Sequence, residues 1–335
     1  MRSRTLAMLA LVATLTVALV GADFYGFVDA PLQIAAEGVR HDIAPGTTLS
    51  GLARDLEAAG ILDRPRYFVW LGRWRKLQGS LKAGEYEFAP GTTPWLLLDQ
   101  VSRGRVVQHS FTIVEGWTFQ RLLQALRVNG HVVNTLEGVS KAAVMQRLGR
   151  PGQHAEGLFY PDTYFITRGV KDIALLDRAM RAMEERLAVE WEQRDPRVPY
   201  ENAYQALILA SIIEKESARP EERHAIAGVF VRRLEQGIPL AADPTVIYGL
   251  GDSFDGNLTR ADLKRDTPYN TYLHLGLPPT PIAMPGGAAI HAAMHPEQGR
   301  TLYFVARGDG SHHFSENLKE HNRAVRRYQL GDQVP

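Results

Sequence analysis

Residues 206–217 read Ala-Leu-Ile-Leu-Ala-Ser-Ile-Ile-Glu-Lys-Glu-Ser, an apolar and small run that leads into Glu214. Neither Gly nor Pro interrupts it, so it suits a helix buried on most sides. A helix of that kind has to be surrounded, and the remainder of the chain must supply its shell. Glu214 lies four residues after Ala210 and seven after Leu207, on the same helical face as both. A carboxyl group on an inward stripe is costly to ionise and tends to keep its proton. An acid still protonated at neutral pH is a general acid. The same position also suits a core-edge glutamate satisfied by an arginine or a backbone amide. Glu216 points elsewhere on the helix and is expected in solvent.

At 335 residues the chain has room for about two domains and some extra segments. A net charge of +1 gives no electrostatic case for a nucleic acid partner. The absence of cysteine excludes disulfides and thiolate metal sites, and it fits an exported protein that does without them. Arg2 and Arg4 precede an uncharged run that opens on Thr5 and closes on Ala22. As a helix of about 18 residues the run is roughly 27 Å long, close to the ~30 Å hydrocarbon core of a bilayer. Phe24, Tyr25 and Phe27 follow as an aromatic cluster suited to the far interface, with Asp23 at the boundary. The expected partner is therefore a membrane. The preceding arginines predict a single pass, a cytoplasmic N-terminus and an exported remainder. A cleaved signal peptide with Val20-Gly21-Ala22 at its end is the competing reading, although the run exceeds the usual ~7–15-residue apolar region.

Beyond residue 31 the pattern predicts a strand over 39–43 and a helix from Leu49 capped by Thr47 or Thr48. A second helix over 65–77 and a returning strand over 84–88 follow. This βααβ order opens with Ile43-Ala44-Pro45-Gly46-Thr47-Thr48-Leu49-Ser50, which resembles the start of a LysM module, a fold that binds N-acetylglucosamine polymers. A purely structural subdomain is the alternative. A helix after Pro94 ends near Gly104, and a strand spans 106–114. Further helices are expected from Glu115, over 136–148 and over 173–193. The helix over 221–236 should turn Ile226, Val229, Phe230 and Leu234 inward, with Arg232, Arg233 and Glu235 outward. Asp243 is an N-cap or Asx-turn candidate before Pro244. Gly286-Gly287 opens an alanine-rich helix, and 302–306 pairs with the segment from His312 across an Asp309-Gly310 turn. A charged helix closes the chain over 317–328. The fold class is α+β: a single transmembrane helix (1–30), a LysM-like subdomain (31–105) and a mixed α+β catalytic domain (106–335).

Chemistry narrows to few residues. His312, His313 and His321 lie close in sequence, but there is no His-Glu-x-x-His pattern, no Gly-x-Ser-x-Gly elbow and no Gly-rich phosphate loop. No metal and no cofactor are therefore expected. Thr267-Pro268-Tyr269-Asn270-Thr271-Tyr272 and the rigid Gly276-Leu277-Pro278-Pro279 that follows suit the wall of a sugar groove. Tyr248, Tyr269, Asn270 and Tyr272 are the candidate substrate-binding residues, with core packing as the alternative for each.

The residues also carry a resemblance. Ser211-Ile212-Ile213-Glu214-Lys215-Glu216, Asp243-Pro244-Thr245-Val246-Ile247-Tyr248-Gly249, Thr267 to Tyr272 and Gly276-Leu277-Pro278-Pro279 resemble motifs of the YceG-like family. So do Glu156-Gly157-Leu158-Phe159-Tyr160-Pro161-Asp162-Thr163-Tyr164 and Leu302-Tyr303-Phe304-Val305-Ala306. The family comprises bacterial endolytic murein transglycosylases. The resemblance implies a lyase that cleaves the MurNAc-β-1,4-GlcNAc bond of peptidoglycan glycan strands without water and leaves 1,6-anhydro-MurNAc ends. It implies Glu214 as the catalytic acid and base, anchoring in the bacterial inner (cytoplasmic) membrane through residues 5–22, and cell-wall synthases as partners. The apolar helix face around Glu214 is expected to raise its pKa from about 4.3 toward ~6. Two rivals remain: a water-using muramidase, and a membrane-tethered peptidoglycan-binding scaffold.

Overall fold

The computed structural model describes residues 2–217 and 219–330. They form two compact units, 2–109 with 165–169, and 110–164 with the described residues of 170–330.

The first unit begins with helix α1, Arg2–Asp29. Its stretch Thr5–Asp29 is long and apolar enough to cross a membrane. Leu6, Leu9, Leu11, Leu15, Val17 and Leu19 are all exposed, whereas Phe27 and Val28 are buried in the unit's core. Asp23 accepts hydrogen bonds from Arg64 Nη1 and Tyr67 Oη, both at 2.8 Å. There follow β1 (Val39–Ile43), α2 (Leu49–Ala58), α3 (Pro65–Trp74), β2 (Gly84–Phe88) and α4 (Pro94–Arg103). The strands pair antiparallel, with Val39 opposite Phe88 and Ile43 opposite Gly84. Thr48 and Thr93 cap α2 and α4 by accepting from the amides of Gly51 and Leu96. Helix α3 stops three residues short of the expected Leu77, because Lys76 takes a left-handed conformation (φ 58°). The βααβ order is as expected. Its core is Leu52, Leu56, Phe68, Leu71, Tyr86 and Phe88.

The chain leaves the first unit within β3 (His109–Thr112), a shorter strand than the pattern suggested. Next come α5 (Phe119–Val128), β4 (Val132–Val133), α6 (Lys141–Arg147), β5 (Thr163–Ile166), β6 (Val170–Lys171) and α7 (Asp172–Glu192). Strands β4 and β6 pair parallel. Then follow α8 (Ala203–Glu216), α9 (Arg223–Glu235), α10 (Asp243–Leu250) and α11 (Gly287–Met294). The chain closes with β7 (Tyr303–Ala306), β8 (His312–Ser315) and α12 (Leu318–Gln329).

Helix α8 is the centre of this unit. Asn202 caps it, its Oδ1 accepting from the amide of Gln205 at 3.0 Å. Every residue from Ala206 to Ile213 is buried. Helices α7, α9, α10 and α11 pack around it, so its apolar character on all sides is accounted for. Each fully buried Leu or Ile contributes about 1.5–3 kcal/mol to holding that assembly. Ser211 Oγ donates to Ile208 O and accepts from the amide of Ile282, which ties the segment before α11 to α8.

Two surface assignments are corrected. Arg233 is buried, not outward: its guanidinium donates to the carbonyls of Leu302 and Leu240, both at 2.7 Å. An arginine can be enclosed when its donors are met by carbonyls in this way. Asp243 does not cap α10, where Ala242 holds the N-cap position. Its carboxylate accepts from Tyr272 Oη at 2.5 Å instead.

Candidate active site

Glu214 sits in the last turn of α8, where the helix leaves the core, and only 6% of its side chain is exposed. Both carboxyl oxygens have partners. Oε1 accepts from Arg223 Nη2 at 3.0 Å, and Oε2 accepts from the amide of Gly286 at 2.9 Å. Arg223 is the first residue of α9, placed there by a short 3₁₀ turn over Pro220–Glu222. Gly286 is the N-cap of α11, so its N–H is one of the donors that an α-helix leaves without an intrahelical partner.

A second carboxylate is nearby. Glu115 Oε2 lies 3.9 Å from the same Arg223 Nη2 that binds Glu214, and its side chain is 49% exposed. A Cβ on Gly286 would fall 1.8 Å from Glu115 Oε1, so the closeness of these two residues requires glycine. The segment carrying Glu115 is held by backbone bonds on both sides of the site. Gly116 N donates to Met284 O, Met284 N donates to Trp117 O, and Lys215 Nζ donates to Gly116 O. Glu115, Arg223 and Gly286 thus complete the surroundings of Glu214, and the sequence pattern marked none of the three as a site residue.

The electrostatics oppose one another. Burial raises the pKa of Glu214 above the ordinary carboxylate range. The Gly286 amide and the Arg223 charge act to lower it, Glu115 acts to raise it, and Lys215 acts to lower it; burial outweighs the lowering effects. The direction is the one expected. The partners, an arginine and a backbone amide, are those expected of a core-edge glutamate.

Glu216 is not in solvent, which corrects the sequence-based expectation. Its Oε2 is enclosed and has no hydrogen-bond partner. Its pKa is pushed up to about 8, first by burial and then by the charge of Asp243, against the pull of Arg233. The residue is half-buried in the last turn of the helix, where the charge of Asp243, the first residue of α10, acts on it.

The candidate wall residues are engaged within the protein. Asn270 is fully buried; its Nδ2 donates to the carbonyls of Leu263 and Arg265, and its Oδ1 accepts from the amide of Tyr272. It fastens the loop over 263–272 and is no part of an exposed wall. The three tyrosines are half-buried. Tyr248 Oη donates to Glu156 Oε2 at 3.0 Å, Tyr269 Oη bonds Thr280 Oγ1 at 2.9 Å, and Tyr272 Oη bonds Asp243. Tyr248 and Tyr269 meet edge-to-face with centroids 4.8 Å apart. Their faces, not their hydroxyls, are what they could offer a sugar. Glu156 is buried and also accepts from the amide of Phe119 at 2.7 Å, joining the start of α5 to α10. Phe159 stacks on Phe119 at 5.1 Å. The aromatic loop over 156–164 therefore acts at least in part as packing.

Known proteins align over the same region. The YceG-like family matches residues 41–327, a span that contains Glu115, Glu214, Arg223 and Gly286. A Bacillus subtilis protein named endolytic murein transglycosylase is 27% identical over 310 residues, covering 87% of this chain and 84% of that protein. A Streptococcus pneumoniae protein of the same name is 26% identical, covering 90% of this chain but only 61% of its own length. A crystal structure of a yceG-like protein from Listeria monocytogenes superposes with a TM-score of 0.54 at 28% identity, covering 86% of this chain and 99% of that one. With most of its length inside the family's span and that likeness running through both the sequence and the fold, the chain belongs to the YceG-like family.

Proposed function

We propose that the chain is an endolytic murein transglycosylase in which Glu214 is the acid and then the base. The relatives' names support the substrate, peptidoglycan. The observation that carries the residue assignment is the dual environment of Glu214: burial favours its proton, while Arg223 and the Gly286 amide stand ready to bind the anion that remains when the proton leaves. A group that must give up a proton and then take one back needs both states within reach. In the first step Glu214 protonates the O4 leaving oxygen of GlcNAc as the bond to C1 of MurNAc breaks. Charge develops on the muramyl ring and can be met by its own N-acetyl oxygen. The C6 hydroxyl of the same MurNAc then attacks C1, and its proton returns to Glu214. The products are a free O4 hydroxyl and a 1,6-anhydro-MurNAc end, with no water consumed.

A second reading has a specific observation behind it. Glu214 and Glu115 flank one guanidinium nitrogen, at 3.0 and 3.9 Å. Glycosidases that use water employ two carboxyl groups, roughly 5–9.5 Å apart. Glu115 could activate water in a muramidase, or orient the C6 hydroxyl in a transglycosylase. Mass spectrometry of digested glycan separates them: anhydro ends support the proposal, and reducing ends heavier by one water support hydrolysis. Glu214→Gln should abolish turnover with the fold intact by circular dichroism. Near-normal activity in that variant would sink the assignment, and undiminished function in cells would favour the tethered scaffold.

For the first unit we propose that β1–α2–α3–β2 binds glycan, on the strength of its βααβ order and its LysM-like opening. Co-sedimentation of the Glu214→Gln chain with purified murein, unchanged by substitutions along β1 and α2, would count against this. Tyr248, Tyr269 and Tyr272 remain proposed as apolar faces toward sugar. Association with cell-wall synthases is proposed from the resemblance, and crosslinking in cells that recovers no synthase would count against it.

A further inference from the structure

Helix α11 carries two histidines one turn apart. His291 lies within the helix, and His295 follows its last residue. At this i, i+4 spacing two side chains share a helix face. Opposite them, α7 presents Glu190, with 7% of its side chain exposed. Glu190 Oε2 lies 2.8 Å from His291 Nδ1 and 3.9 Å from His295 Nε2, and the three donor atoms lie within 4.8 Å of one another.

We propose that Glu190, His291 and His295 form a binding site for a divalent transition-metal ion of the Zn²⁺ class. Zinc takes its nitrogen and oxygen ligands at about 2.0–2.2 Å, so tetrahedral donors stand roughly 3.4 Å apart. The observed separations bracket that spacing, and a small rotation of the two rings would equalise them. His295 Nε2 is enclosed and has no hydrogen-bond partner, an arrangement that costs stability unless something meets the lone pair or the proton there. Glu190 is already held from behind, its Oε1 accepting from Arg186 Nη2 at 2.8 Å; a ligating carboxylate is normally oriented by such an outer bond. His295 is steadied through its own carbonyl, which accepts from His224 Nδ1 at 2.7 Å, and the His224 ring meets the face of His291 edge-on. His291 is 47% exposed, which leaves a path for the ion and a position for a water as fourth ligand. Two imidazoles and one carboxylate favour Zn²⁺, Co²⁺ or Ni²⁺ over Mg²⁺ and Ca²⁺, which prefer all-oxygen shells.

The site lies apart from the reacting carboxyl group but on a shared element. The N-cap of α11 donates to Glu214, and the far end of α11 holds the two histidines. An ion there would pin the end of α11 to α7, so its expected effect is on rigidity and stability rather than on bond cleavage.

The test is titration of the chelator-treated full-length chain in detergent with ZnCl₂ by calorimetry, and with CoCl₂ by visible absorption. The expected result is one strong site per chain, unaffected by millimolar Mg²⁺ or Ca²⁺. At about 100-fold excess over Kd, Zn²⁺ should raise Tm by roughly 5 °C or more. His295→Gln and Glu190→Gln, each verified as folded by circular dichroism, should weaken binding at least about tenfold. Glu214→Gln should bind as the parent does. The proposal is overturned if no Zn²⁺ binds at about 100 µM, or if the strong site survives His295→Gln unchanged, which would place the ion on other histidines.

Discussion

Glu214 and Glu216 are two residues apart on one helix, and each is held above the usual carboxylate range, yet for different reasons. Glu214 has burial opposed by an arginine and a helix-terminal amide, so both of its charge states have support. Glu216 has no bonded partner for its buried oxygen, and the carboxylate of Asp243 adds to the penalty on its charge. That difference is the basis for proposing reversible proton transfer at Glu214 and a held proton at Glu216. It also has a consequence for stability. A carboxyl group whose folded-state pKa lies above its unfolded value binds a proton in the folded state that the unfolded chain has released. Its contribution is therefore largest at acid pH and is lost as pH rises from the ordinary glutamate value of 4.5 through about 8. The parent chain should lose thermal stability over that interval. Glu216→Gln, which cannot ionise, should show a flatter Tm against pH and a higher Tm than the parent at pH 8–9. Scanning calorimetry across the interval checks this, and parallel curves for the two chains would show that Glu216 is not enclosed as described.

At the scale of elements, the parts that were readable in the sequence are those specified locally. Thr48 and Thr93 announce their helices because a cap is made within three residues. The apolar run of α8 announces a surrounded helix because no single face could account for it. What escaped was assembled from distant pieces. Glu115, Arg223 and Gly286 reach Glu214 from three separate segments, and nothing in the spacing of any one of them shows it. Arg233 and Glu216 were misplaced because helical periodicity gives direction, not what occupies that direction: carbonyls of the 240 and 302 segments in one case, Asp243 in the other. The spacing of His291 and His295 was visible, but without Glu190 on α7 it is only a pair. The start of α11 shows how tightly these pieces interlock. Its N-cap, Gly286, gives Glu214 an amide and leaves room for Glu115. Gly286→Ala should keep the helix, since alanine can adopt the extended N-cap backbone (φ −76°) at a cost of no more than about 1 kcal/mol, yet force the Glu115 side chain to rotate away. Because that side chain is half-exposed, the cost in Tm should be small, about 2–4 °C. Activity should nevertheless fall at least about tenfold if Glu115 orients substrate. Wild-type turnover in this variant would remove Glu115 from the mechanism.

At the scale of the whole molecule, α1 presents a problem that the rest of the chain does not resolve for it. Leu6, Met8, Leu9, Leu11, Val12, Leu15, Val17 and Leu19 are each more than half exposed. An apolar surface of that extent is far beyond what a water-soluble protein ordinarily carries, so something must cover it or remove it. A bilayer would cover it and signal peptidase would remove it. The fold accommodates both outcomes, because cleavage after Ala22 would leave Asp23 bonded to Arg64 and Tyr67, with Phe27 and Val28 still in the core. Length argues for retention: the span of 25 residues matches a bilayer crossing and exceeds the ~7–15 apolar residues of a typical signal peptide. On that ground the chain should sediment with membranes, resist extraction by high salt, dissolve in detergent and have the intact mass of the full sequence. If the exported part is the second unit, protease added outside spheroplasts should digest it while the N-terminus stays protected. A soluble product whose first residue is Asp23 would reverse the conclusion, and glycan strands would then be reached by a diffusing enzyme instead of one held at a membrane.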